Sequence, residues 1–343
     1  MKLPAPRGPV SAALIATLGR SPHDIDSSFS AELTTVTDAL GVLSDEDLQL
    51  TLFICYELHY RGWDGVDERW EWHPDLLRVR ATAEERLLTG LRALAAPAGD
   101  CVPGEITARS ISRALVAMTE ESGGPSLSGY LRGRATLEQF REFATHRSVY
   151  HLREADPHTF VIPRLAGRAK AALIEIQLDE YGGGQVARMH QELFRRTMEG
   201  LGLDTTYGAY VDDVPALTLA TNNLMSVFAL HRVRRGALLG HLAAYEMTST
   251  LPNRAYGNGL RRLGGDADAT RFYDEHVEAD AVHEQIAAYD MCGSFCEAEP
   301  EAAGDVLFGA RCALALDELW AAHLLQRWSE GRSSLRTDAR VGC

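Results

Sequence analysis

The segment His276-Val-Glu-Ala-Asp280-Ala-Val-His283 places two imidazoles and a carboxylate at spacings of four and three residues. A helix turns about 100° per residue, so these three side chains would share an arc of roughly 60°. Two nitrogen donors and one oxygen donor on one face make a mixed ligand set suited to iron, manganese or zinc. An ordinary polar helix face that happens to carry two histidines would read the same way.

A second set of donors lies in Glu175-Ile-Gln-Leu-Asp-Glu180-Tyr-Gly-Gly-Gly-Gln-Val-Ala-Arg-Met-His190. Glu180 and His190 would stand about 80° out of phase on a straight helix. The three glycines between them disfavour a helix by about 1 kcal/mol each relative to alanine. A break there can swing Glu180 and His190 toward one site, or simply join two separate helices. Glu175 and Asp179 stay open as substitutes for Glu180. Glu246 sits among apolar and small residues, and a carboxylate buried there must be paired, hydrogen-bonded or metal-bound. Gly236 and Gly240 allow close helix packing at that level. His241, about 140° away around the same helix, is read as structural. Glu154 precedes Asp156, Pro157 and His158 in what looks like a helix-termination motif, with Asp156 or His158 as the cap. The residues themselves do not single out Glu154.

Glu180, His190, Glu246, His276, Asp280 and His283 make six donors. Carboxylates can bridge, so such a set suits two metal ions inside a helical bundle. The ferritin-like pattern of Glu-x-x-His on two helices fits poorly, because only Asp280-x-x-His283 approximates it.

The elements that must carry these donors are helical nearly throughout, with apolar residues recurring at steps of three and four. No alternating Val/Ile-rich segments suggest a sheet. A first block runs over 29–94, with a helix starting near Ser44 and ending at Leu58, an aromatic turn at Trp70, Trp72 and Pro74, and a helix at 83–94. A linker is expected at 95–100. The second block predicts helices near 106–119, 136–151, 168–200 (interrupted), 215–247, 268–292 and 300–329, with prolines, Pro252 among them, falling between them or near their ends. The domain reading is an N-terminal helical extension (1–100) packed on a bundle (101–332), followed by a disordered tail (333–343). The first residues read as a frayed N-terminal tail.

Of the 343 residues, 45% are hydrophobic, enough for a sizeable core, and the formal net charge is -14. An acidic surface argues against nucleic acid or an anionic membrane as partner. No apolar run reaches the length of a membrane span, and the N-terminus lacks a convincing signal peptide, so the expected location is the cytoplasm. The six cysteines show no disulfide framework and read as buried or idle thiols. The aromatic segment from Tyr56 to Trp72 reads as core packing, with a homodimer contact as the other reading.

With these residues in place, the chain resembles the haem-oxygenase-like diiron oxidases and oxygenases, the iron-containing redox enzymes. The resemblance is carried by Glu154-Ala-Asp-Pro-His-Thr-Phe160, Glu180-Tyr-Gly-Gly-Gly-x5-His190, Glu246 and His276-x3-Asp280-x2-His283, with Tyr56-Glu-Leu-His-Tyr-Arg-Gly62 in the first block. It spans roughly residues 30 to 330. It implies an all-α, haem-oxygenase-like bundle in which two iron ions replace the haem. Glu180, His190, Glu246, His276, Asp280 and His283 are the implied ligands. Glu154 resembles the extra carboxylate of members that oxygenate nitrogen.

The implied activity is O2-dependent N-oxygenation of a small amine or amino acid, through a peroxo-diferric intermediate, with electrons from an external donor such as a separate reductase. Oxidative C–C cleavage, desaturation or decarboxylation of an amino or fatty acid is the competing chemistry, and a non-catalytic metal-binding protein is the competing class. A haem site ranks lower, since an apolar haem pocket would not need six clustered polar donors. No catalytic residue beyond the metal ligands is identified.

Overall fold

Glycines bring two helices into near backbone contact in this protein, described here from a computed structural model. A β-carbon on Gly240 would overlap the carbonyl of Val306, and one on Gly309 would overlap that of Ala237. These residues lie where Arg235–Thr248 crosses the long helix Ala303–Ser329. The structure describes residues 1–26, 38–96, 102–121 and 126–336, apart from the side chains of 121 and 279–282. The expected 95–100 linker lies largely outside this range. Among the described residues the regular elements are all helices, as a haem-oxygenase-like all-α fold requires.

The chain forms α1 (Pro9–Leu18), α2 (Glu46–Glu57), α3 (Pro74–Ala95), α4 (Ala108–Glu121), α5 (Leu127–Gly133), α6 (Leu137–His151), α7 (Gly167–Glu180), α8 (His190–Gly200), α9 (Ala216–Leu230), α10 (Arg235–Thr248), α11 (Thr250–Arg262), α12 (Ala267–Gln285) and α13 (Ala303–Ser329), with single turns between some of them. One apolar core extends from Val10 to Trp328. Helix α9 is buried along nearly its whole length. Within the aromatic segment Tyr56, Trp63 and Trp70 are buried and Trp72 is exposed. No helix among the described residues is long and apolar enough to cross a membrane.

Several boundaries differ from the sequence reading, each for a local reason. The N-terminus is not frayed: Leu14 and Leu18 of α1 are buried, and Asp47 accepts hydrogen bonds from the backbone N–H groups of Val10 (2.8 Å) and Ser11 (2.7 Å). That carboxylate satisfies donors a helix start leaves unpaired. Asp45, not Ser44, caps α2 by accepting from the Leu48 N–H. Pro74 opens α3, where its missing N–H costs nothing.

The expected 215–247 helix breaks at His231, which is extended. There Arg164 donates to the carbonyls of Ala229 (2.5 Å) and Leu230 (3.3 Å), groups that a continuous helix would have used. Pro252 lies inside the first turn of α11, where no intrahelical acceptor is lost. The helix around 268–292 changes at Ile286 into a π-helical stretch ending at Gly293. In the expected tail, Ser334 is buried and bonds Glu142 through both its N–H and its hydroxyl, while 337–343 lie outside the described residues. Cys55, Cys292, Cys296 and Cys312 are free and buried, as read; Cys101 and Cys343 lie outside the described residues.

Candidate metal centre

Four stretches of chain converge on the site. Helix α6 ends at His151, and the turn after it carries Glu154. Ala155 follows with φ of 70°, a left-handed conformation that L-residues other than glycine rarely adopt. Such strain persists only where the surroundings hold it. Here the Ala155 carbonyl accepts from the buried Gln177 side chain of α7 (3.1 Å). Neither Asp156 nor His158 caps a helix as expected. Asp156 accepts from the Tyr181 hydroxyl (2.8 Å), and His158 lies buried against His241.

Helix α7 ends at Glu180. Gly182, Gly183 and Gly184 all have positive φ, so the glycine run is a reversal of the chain rather than a kinked helix. It delivers His190 as the first residue of α8. The outcome is a contact of 3.2 Å between Glu180 Oε2 and His190 Nδ1. Both atoms are buried and neither has a hydrogen-bond partner among the described residues. Of the open alternatives, Glu175 is exposed, and Asp179 meets the outer nitrogen of His283, Nε2, at 2.9 Å.

Helix α12 supplies both remaining imidazoles. His276 donates from Nδ1 to the Phe272 carbonyl (2.8 Å), which turns Nε2 to within 3.7 Å of Glu154 Oε1. Backbone acceptors of this kind fix the tautomer and orientation of metal-binding histidines. His283 Nδ1 lies 3.3 Å from Glu246 Oε2, and Glu246, on α10, is buried. Asp280 falls on α12 between the two histidines, and its side chain lies outside the described residues.

One ligand atom each from Glu154, His190 and His276 lie within 4.8 Å of one another. Glu154, Glu180, Glu246 and His276 all line one cavity of about 140 Å³. Buried carboxylates at this density repel unless cations lie among them. Burial works against protonation of His190, but Glu180 more than offsets it and its pKa rises. Burial also opposes protonation of His283, yet Glu246 and Asp179 hold its pKa up at about 9. For Glu154, burial is outweighed by His151 and His276, which keep the carboxyl well below the usual range. The oxygen–nitrogen donor set and the facing, unbonded atoms of Glu180 and His190 fit a bound metal cation.

The sequence reading missed several neighbours. His151 Nδ1 donates to Glu154 Oε1 at 2.7 Å. Its signal was the His151-x-x-Glu154 spacing, which places both on one side of a turn. His241, read as structural, pairs its Nδ1 with His158 Nε2 at 3.3 Å. Arg147 and Asp317 meet in the cavity wall from α6 and α13.

A helical bundle with a buried carboxylate and imidazole cluster defines a class of metal-dependent proteins. The profile of the family described as iron-containing redox enzyme matches residues 141–318, just over half of the chain, and the chain belongs to that family. It is an oxidoreductase of the iron-containing kind. The chain is also similar to the nitrosourea synthase of Streptomyces achromogenes subsp. streptozoticus, 28% identical over 149 residues. That alignment takes in 43% of this chain and 31% of the relative's length.

Proposed function

We propose that this chain is an O2-dependent, non-haem dinuclear iron oxygenase that hydroxylates the nitrogen of a small amine or amino acid. The observation that carries the reading is the unbonded contact of Glu180 Oε2 and His190 Nδ1 beside Glu154 and His276. Glu180, His190, Glu246, His276, Asp280 and His283 would hold two irons, with Glu154 as a further carboxylate. The nitrogen preference is supported by that extra carboxylate and by the likeness to a nitrosourea synthase.

When bound, iron would pass the donor's electrons to O2 and offer the coordination positions at which it is activated. The reaction converts R–NH2, O2, two electrons and two protons into R–NHOH and water, the electrons coming from an external donor such as a reductase. The protein's part begins with charge. The clustered carboxylates of Glu154, Glu180 and Glu246 lower the cost of accumulating cationic metal there. His276 is locked by Phe272, His283 by Asp179 and Glu154 by His151, so three donors are oriented before metal arrives. The aromatic walls, Phe143, Tyr150, Tyr245 and Phe272 among them, limit water at the reacting nitrogen.

The test is anaerobic titration of metal-free protein with Fe(II), then mixing with O2 in a stopped-flow spectrometer and mass analysis of products from candidate amines. Two irons per chain, a transient visible band quenched by an amine, and a product heavier by one oxygen on nitrogen are expected. One iron or none, with no transient, overturns the dinuclear reading. A lost carbon or a new alkene overturns N-oxygenation.

A further inference from the structure

Arg147 is the one Lys or Arg among the described residues lining the cavity, and it is paired there with Asp317. The contact joins one N–H to one oxygen at 3.0 Å, not the two-pronged arrangement these groups allow. The guanidinium lies over the Trp320 ring at 4.2 Å and also meets Tyr256 of the cavity wall, so its position is held from two sides. Nearby, the Tyr273 hydroxyl lines the same cavity, is buried, and has no hydrogen-bond partner among the described residues. An unsatisfied buried hydroxyl calls for an explanation, and a ligand group is one.

The wall therefore offers a cation, an anion and a neutral donor close together. A simple amine would find Asp317 but be repelled by Arg147, and a fatty acid would meet the reverse. A zwitterion satisfies both. Arg147 lies one helical turn before His151, roughly 6 Å along the α6 axis, and His151 bonds Glu154. A ligand held at Arg147 thus has its far end near the cluster.

We infer that Arg147, Asp317 and Tyr273 form a head-group site for a free α-amino acid, whose side chain rather than its α-amino group faces the Glu154–His190–His276 cluster. The carboxylate binds Arg147 and Tyr273, and the ammonium binds Asp317. This rests on the proposal that the cavity takes the substrate, and it narrows the substrate to an amino acid oxidised on its side chain.

The experiment is calorimetric binding of the twenty standard L-amino acids and L-ornithine to the Fe(II)-loaded protein without O2, with iron content measured separately. For the tightest binder, its decarboxylated amine and its deaminated acid are then compared. Loss of either head-group charge is expected to weaken binding by at least about tenfold, the range of a hydrogen bond to a charged group. Asp317→Asn should weaken the amino acid and tighten the deaminated acid, a reversal that general destabilisation does not produce. The double variant Arg147→Met, Asp317→Leu should lose the ligand while keeping iron content and melting temperature. Absence of any binder, equal binding of the amine, or unchanged selectivity in Asp317→Asn overturns the head-group site. If iron content is normal in that case, the metal proposal stands. Head-group selectivity in protein that takes up no iron would sink the metal proposal alone.

Discussion

Glu180 Oε2 and His190 Nδ1 face each other at 3.2 Å across a glycine turn, buried and without a hydrogen bond. Under the proposed function these two atoms are ligands of one dinuclear site. Glu180→Ala and His190→Ala are each expected to lower iron uptake from two per chain to one or fewer and to cut turnover at least about 100-fold, beyond the effect of losing an outer partner. Each variant also breaks the buried Glu180–His190 pair, so metal-free melting should fall as well. Iron titration with melting curves on the same samples reads both. Full iron uptake in either variant would remove these residues from the ligand set.

Glu154 and His151 allow the proposed ligand to be distinguished from its support. Glu154→Ala is expected to weaken iron binding strongly. His151→Phe keeps the carboxylate but removes its 2.7 Å hydrogen bond and should weaken iron binding by about 10- to 100-fold. Anaerobic titrations that rank the two variants the other way would make His151, not Glu154, the metal donor.

The glycine turn gives a graded test of positioning. An alanine β-carbon at Gly182 would stand 2.5 Å from the Arg188 carbonyl carbon, whereas one at Gly183 meets nothing within 4 Å. Gly183→Ala should cost only the left-handed backbone penalty, about 1–2 kcal/mol. Gly182→Ala adds a clash that displaces the segment leading into His190. Thermal melting should therefore fall further for Gly182→Ala, and only that variant should bind less iron.

His146 reports on pH remote from the cluster. It is buried between Thr218 (2.7 Å) and Ser334 (3.1 Å), and burial, helped by His323 and Arg147, pushes its pKa down to about 3. The unfolded chain takes up a proton near pH 6.5 that the folded chain refuses until about pH 3. Stability from this group is therefore present above pH 6.5 and lost as pH falls toward 3. Between pH 7.5 and 5.5 the loss is about 1.4 kcal/mol. Denaturant melts of His146→Gln should show a lower stability at pH 7.5 and a drop to pH 5.5 smaller by that amount. An unchanged drop would mean that His146 is protonated in the folded protein.

Much of the helical character and part of the site were legible because helical periodicity is local. The spacing of His276, Asp280 and His283 follows from the 3.6-residue turn alone, and so does the shared face it implies. The glycine run announced a break, since three glycines disfavour a helix wherever they occur. The His231 break, the ordered N-terminus and Ser334 were hidden because each depends on a distant partner: Arg164, Asp47 and Glu142 respectively.

The donors split along the same line. Sequence left Glu175, Asp179 and Glu180 open, and only tertiary packing sets buried Glu180 against His190 of α8 and turns Asp179 to His283 of α12. Glu154 was indistinguishable from a termination motif until the strained turn at Ala155 set it beside His276. Arg147 and Asp317 lie 170 residues apart and share no local pattern. What the chain determines by itself is which side chains share one helical face. Which faces meet is decided by helix packing, because only contacts between distant segments select among registers that are locally equivalent.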